Sequence, residues 1–182
     1  DKFHRSYNEK NWRILPRQAV HDSSSVTYPV FTAIAAPEVQ NKLNGDFAII
    51  AGPYLQNLAT GGCELDYTLT FVSEKFISMV FFGVLDEGEK EIFAKIPLNI
   101  DVQTGAQLAL GDVLNLRDAD LLPVLRLLTK KDKVDFSKGI PESWYYNGTN
   151  FVFCQRSEIG EWLEATVAAS DLKKFLLKPE LF

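Results

Sequence analysis

Leu65-Asp66-Tyr67-Thr68-Leu69-Thr70-Phe71 carries an apolar side chain at every odd position and a polar one between. Strand side chains point alternately to opposite faces, so this stretch reads as a strand with one buried and one wet face. Glu74-Lys75 makes a tight turn. Phe76 to Leu85 is apolar on both sides, as a central strand covered on both faces would be. Asp86-Glu87-Gly88-Glu89-Lys90 is a second turn, after which Ile92, Ala94, Ile96, Leu98, Ile100 and Val102 alternate. Pro97 interrupts that run, and a residue without an N–H belongs at a sheet edge or a bulge. Thr104-Gly105 closes the three-stranded antiparallel meander.

Upstream, Val39, Leu43, Phe47, Ile50, Tyr54 and Leu58 recur at helical spacing and share one face. Pro37 suits the first turn of that helix, Gly52-Pro53 is expected to kink or end it, and Gly61-Gly62 closes the segment. Before it, Trp12, Ile14 and Val20 mark a first strand broken at Pro16, His21 to Ser25 a turn, and Val26 to Ile34 a second strand. Downstream, Asp118 or Asp120 caps a helix bearing Leu121, Leu125 and Leu128, with Lys130-Lys131 in its last turn. Asn147-Gly148, flanked by Tyr145-Tyr146 and Phe151-Val152-Phe153, is a hairpin turn. Glu161 to Ala168 fits either strand or helix, and Ser170 or Asp171 caps a final helix bearing Leu172, Phe175 and Leu176. The reading is α+β: a mainly antiparallel sheet with helices packed chiefly on one face. Residues 26–182 form a single domain, preceded by a segment, 1–25, that holds the first strand.

A chain of 182 residues, 46% hydrophobic, buries a core without staples. The formal net charge is −5 with acidic and basic residues interspersed, and the densest basic stretch, Lys130-Lys131 with Lys133, is broken by Asp132. Nucleic acid calls for a clustered positive footprint and is excluded as a partner. No apolar run approaches a membrane span, so any anchor or signal peptide is expected outside the visible chain. Cys63 and Cys154 leave two readings open. One is a disulfide closing a long loop, contributing roughly 4–5 kcal/mol in the chain-entropy model. The other is two buried thiols.

Reactive chemistry is hard to assemble from these residues. His4 and His21 are the only histidines, both in the polar N-terminal region, and no nucleophile elbow, phosphate loop, dinucleotide fingerprint or zinc spacing occurs. No cofactor or metal is expected. Asp112, Asp118 and Asp120 read as helix caps rather than a calcium loop. Glu158, Glu161 and Glu164 recur every three residues and could supply the two carboxylates of a glycoside hydrolase, although a solvated acidic face gives the same pattern. Asn147-Gly148-Thr149 fits a glycosylation acceptor but reads first as a turn. For binding, Trp144, Tyr145 and Tyr146 stand out. On a strand Trp144 and Tyr146 share one face and Tyr145 takes the other, so one of the three is expected near solvent unless both faces are covered.

One resemblance rests on the order of short motifs from about Val26 to Leu177: Tyr28-Pro29-Val30-Phe31, Leu43-Asn44, Asp66-Tyr67-Thr68-Leu69, Phe76-Ile77-Ser78-Met79 with Phe82-Gly83, Asn99-Ile100-Asp101 with Thr104-Gly105, and Leu108-Ala109-Leu110-Gly111-Asp112-Val113-Leu114. This order resembles the exported domain of RsiV-type anti-sigma factors and of the N-terminal part of PdaC-type peptidoglycan deacetylases. Where that family often carries Gly-Ala-His, Ile92-Phe93-Ala94-Lys95 stands here, so no histidine-linked role carries over. The resemblance implies an extracytoplasmic, periplasmic or cell-surface location. It also implies a non-catalytic binding or sensor role toward an envelope protein or glycan. The alternatives are an envelope glycan hydrolase and a structural lipoprotein.

Overall fold

The computed structural model describes residues 7–9, 12–33, 36–56, 62–86 and 90–182, with the side chains of 7–9, 12 and 48–56 outside the description. Strands β1 (Tyr7–Glu9), β2 (Trp12–His21), β3 (Ser24–Thr32), β4 (Gly62–Val72), β5 (Phe76–Asp86) and β6 (Glu91–Asp101) form one sheet in sequence order. Its pairs are antiparallel except β3–β4, which the long helix α1 (Pro37–Gln56) connects in parallel. A second, antiparallel sheet holds β7 (Ser143–Tyr146), β8 (Asn150–Arg156) and β9 (Trp162–Ala168). The fold is therefore α+β and mainly antiparallel.

The meander forms as its alternation dictates, with one exception. Leu65, Tyr67 and Leu69 are buried, but the register shifts between Leu69 and Phe71, where Leu69 faces Met79 and Phe71 faces Ser78. One extra residue in a strand of period two turns every later side chain to the other face. Phe71 accordingly leaves the Leu69 side and packs against Phe76 and Tyr146, at centroid distances of 5.8 and 5.0 Å. β5 is central, as read. Ile77, Met79 and Phe81 meet α1 through Leu43 and Phe47, while Phe76 enters the core of the second sheet. β6 is the sheet edge. Its Phe93 and Asn99 carbonyls and Asp101 N–H bond away from β5, so Pro97, of the same parity, spends its missing N–H outward where no ladder bond is lost.

Three boundaries differ from the sequence reading. Pro16 does not break the first strand. It faces Pro29 within an uninterrupted β2–β3 register. Two prolines fit opposite each other only at a non-hydrogen-bonded position, which needs no N–H from either. Helix α1 runs through Gly52-Pro53 to Gln56, because a proline near a helix end removes little from the ladder. Leu43 and Phe47 of its expected face are buried and Val39 partly so, whereas Ile50, Tyr54 and Leu58 lie outside the described side chains. The third difference is at α3 (Leu121–Leu128), which ends before Lys130-Lys131; Thr129 closes it by donating its hydroxyl to the Leu125 carbonyl at 2.7 Å.

Helix caps follow the backbone more than the side chains. Asp112 does cap the short helix α2 (Leu110–Val113), accepting from the Ala109 N–H at 2.8 Å. Neither Asp118 nor Asp120 caps α3 with its carboxylate; Asp118 accepts from the Asp120 N–H and Asp120 pairs with Lys174. The last expected helix is a 3-10 segment, Ala169–Phe175, entered from Ala168 without a side-chain cap, so Ser170 and Asp171 lie inside it. Leu172 and Phe175 are buried as its spacing requires.

A hydrogen-bonded seam joins the two sheets. The buried Ser78 hydroxyl donates to Asn99 Oδ1 at 2.6 Å and accepts from the Tyr146 N–H at 2.9 Å, and Asn99 Nδ2 donates to the Trp144 carbonyl at 2.7 Å. Side chains of β5 and β6 thus satisfy the open edge of β7 as a neighbouring strand would.

Candidate functional site

The alternation of β7 sorts the three aromatics. Trp144 and Tyr146, 2% and 4% exposed, point into the core, with Trp144 stacked on Phe76 and Phe151 at 6.2 and 5.5 Å. Tyr145 turns to the opposite face and is half-buried. The expected exposed aromatic surface is therefore not built from Trp144 or Tyr146, whose rings fill the interior between the sheets. On the Tyr145 face, β8 and β9 bring Cys154 and Glu164 opposite each other. Glu164 lies near the Tyr145 phenol, whose ionisation it opposes, and pairs with Lys95 of β6 at 2.9 Å.

Above this cluster lies an open cavity of about 570 Å³ between β6, β9 and the loop after α3. Phe93 and Lys95 come from β6, Lys131 to Lys133 from the loop, and Glu161 to Glu164 from the start of β9. Asp132 is fixed in place by accepting from the Thr166 N–H at 3.3 Å, which also blunts the open edge of β9. Phe93 is 50% exposed, so an aromatic wall faces solvent. Of the segment Ile92 to Lys95, where the sequence departs from the family it resembles, Phe93 and Lys95 line one side of this cavity.

The charges here are matched rather than poised. Burial, then the neighbouring Glu164 and Cys154, push the Tyr145 phenol well above its ordinary range, so it is a neutral hydrogen-bond donor. Cys154 is buried, its thiol directed to the Val152 carbonyl at 3.8 Å. Its pKa is pushed up to about 12, by burial first and by Glu164 second, against opposing effects of Lys95 and the Trp162 indole. The nucleophilic form of cysteine is the thiolate, so this residue is inert near neutrality. The Trp162 N–H, buried, finds no nitrogen or oxygen partner among the described residues and lies against this sulfur.

Other sequence candidates are dispersed. Glu158 sits in the turn between β8 and β9 with its carboxylate 95% exposed, 3.9 Å from Lys138. The three-residue repeat of glutamates therefore does not make one face, because it spans a turn and a strand. Only Glu161 and Glu164 of the three line the cavity. His21 and Asp22 lie 3.5 Å apart at the exposed β2–β3 turn, and His4 is outside the described residues. Cys63 and Cys154 are not bonded to each other. Both are buried thiols, Cys63 packed with Val26, Leu65 and Leu85 in the large sheet and Cys154 in the small one. Among the described residues no group of three or more His, Cys, Asp or Glu side chains could hold a metal ion, and no helix is long and apolar enough to cross a membrane. The cavity itself was not legible in the sequence, since Phe93, Lys95, Lys131 and Trp162 share no local pattern.

No protein-family model and no curated protein sequence matches the chain. Its fold is similar to solved structures of two proteins of the DUF3298 family, a family of unknown function. The Bacteroides fragilis member has a TM-score of 0.64 and 12% identity, over 91% of this chain and 93% of that one. The Pseudomonas aeruginosa member has a TM-score of 0.59 and 14% identity, over 96% and 97%. At this identity the likeness establishes that the chain has the DUF3298 fold over nearly its whole length.

Proposed function

We propose that this is an extracytoplasmic cell-envelope binding or sensor domain, related to the RsiV and PdaC exported domains, that recognises an envelope protein or glycan without transforming it. The observation that carries the reading is the make-up of the open cavity. Phe93, Trp162 and Leu163 give it apolar walls, and its Lys95–Glu164 pair and backbone-anchored Asp132 are already satisfied. Preformed, mutually neutralised polar groups beside an exposed aromatic suit recognition, where aromatic anchors dominate the binding energy. A general acid or nucleophile needs instead a group shifted toward its working protonation state. The test is biosensor binding of the chain to lysozymes and soluble peptidoglycan fragments, compared with Phe93→Ala. A hot-spot loss of about 2 kcal/mol, roughly 30-fold in Kd, is expected at unchanged melting temperature. Absence of binding to every envelope probe refutes the reading, and binding that Phe93→Ala leaves unchanged removes this cavity as its site.

A second reading rests on Glu161 and Glu164 lining one cavity: an envelope glycan hydrolase with paired carboxylates. Release of reducing ends from peptidoglycan that is abolished by Glu161→Gln would establish it in place of the first.

A further inference from the structure

A separate cavity of about 410 Å³ opens between the β7–β8 hairpin and the C-terminal 3-10 segments, lined by Tyr146, Thr149, Ala169, Lys173, Leu176 and Phe182 among others. Its size falls within the range of small-molecule sites. The Phe182 ring stands 5.1 Å from Tyr146 and 4.7 Å from Phe151, so one wall is continuous with the aromatic core.

Two polar groups there have no partner among the described residues. Tyr146 is 4% exposed, and its N–H is held by Ser78, yet its hydroxyl bonds to no described residue. The hydroxyl is not one of the fully buried polar atoms left without a partner, so it is reached by solvent, and a ligand acceptor can take that solvent's place. Burial alone pushes this phenol up from its ordinary range, so it stays protonated and can donate. The Lys173 ammonium, exposed at the rim, makes no ion pair among the described residues, whereas Lys174 and Lys178 pair with Asp120 and Asp101. A cavity with aromatic walls, a solvent-reached phenol donor and one cation unmatched among the described residues is complementary to an anion with an apolar body.

We propose that this cavity binds a small carboxylic acid with an acyl or aromatic body, its apolar part against Leu176, Phe182 and the Tyr146 ring and its carboxylate met by the Tyr146 hydroxyl and the Lys173 ammonium. The site is distinct from the cavity beside Phe93 and does not depend on the function proposed there.

Octanoate and its neutral counterpart octanamide are the probes, titrated into the 182-residue chain and followed by amide NMR shifts. Octanoate is expected to shift Ala169, Lys173, Leu176 and Phe182 saturably and to bind at least fivefold tighter than octanamide. Tyr146→Phe keeps the ring and should weaken octanoate binding about tenfold, the worth of a hydrogen bond to a charged group. Lys173→Gln, at an exposed position, should erase the preference for acid over amide, and it decides the matter if Tyr146→Phe impairs folding. Shifts that do not saturate, that map to the Phe93 cavity, or that are equal for acid and amide in the unaltered chain overturn the proposal.

Discussion

At Ser78 a single hydroxyl serves two sheets. It donates to Asn99 Oδ1 and accepts from the Tyr146 N–H in an interior without exposure. Removing it strands an amide oxygen and a backbone N–H together, and each stranded group costs about 1–3 kcal/mol. Ser78→Ala is therefore expected to lower the unfolding free energy by about 2–6 kcal/mol in urea titration, with faster hydrogen exchange at Tyr146. A midpoint that does not move would show that the seam contributes nothing to stability. Ser78 and Asn99 both lie in the motif order that resembles the RsiV and PdaC domains, but nothing in their local sequence says that they meet. Gly83 is similar. A Cβ there, on a backbone with φ of +155°, would run into the Glu64 carbonyl of β4, a constraint visible only once the strands are paired.

At the scale of elements, α1 is the one whose role the sequence states most openly. Phe47 lies 5.3 Å from Phe31 and 6.5 Å from Phe81, both ring to ring, and is fully buried. Phe47→Ala is expected to cost about 3–5 kcal/mol, read as a fall in the urea midpoint; an unchanged midpoint would mean that α1 does not dock through this face. What periodicity omits is Asn44. Its side chain accepts from the Phe31 N–H at 2.8 Å and donates to the Phe31 carbonyl at 2.9 Å, pairing the stretch of β3 that β4 leaves open. The β7–β8 hairpin was legible from Asn147-Gly148. The Asn147 carboxamide also accepts from Thr149 and Asn150, so the turn takes in Thr149 as well.

For the whole molecule, burial of acidic protons sets the response to alkali. Cys154 ionises near 9 when unperturbed and at about 12 in the fold. Between those values the unfolded chain has lost the proton that the native state keeps. Stability then falls as pH rises, by up to about 1.4 kcal/mol per pH unit for this group. Tyr145 and Tyr67 are shifted in the same direction, mainly by burial, and add to the loss. The urea midpoint is expected to be lower at pH 10 than at pH 8, with a shallower fall for Cys154→Ala. Equal midpoints at the two values would contradict it. The same burial should hide both thiols from a thiol reagent in the native protein, and two should titrate on unfolding without reductant. None would indicate a disulfide between them.

Periodicity determined the strands of the meander, the docking face of α1, the hairpin and the opposed directions of Trp144 and Tyr145, because these depend on side chains a few residues apart and the chain's own geometry fixes their relation. The absence of clustered histidines and of a basic footprint was likewise plain in the composition. Only the tertiary structure decided that Trp144 and Tyr146 are core, that Phe71 crosses sheet faces at a bulge, and that Asn44, Ser78 and Asn99 complete strand edges. It alone assembled the cavities from β6, β9, the loop after α3 and the C-terminal segments. Those relations join residues far apart in sequence, and what brings them together is the burial of apolar surface on both faces of β5, which no local spacing records.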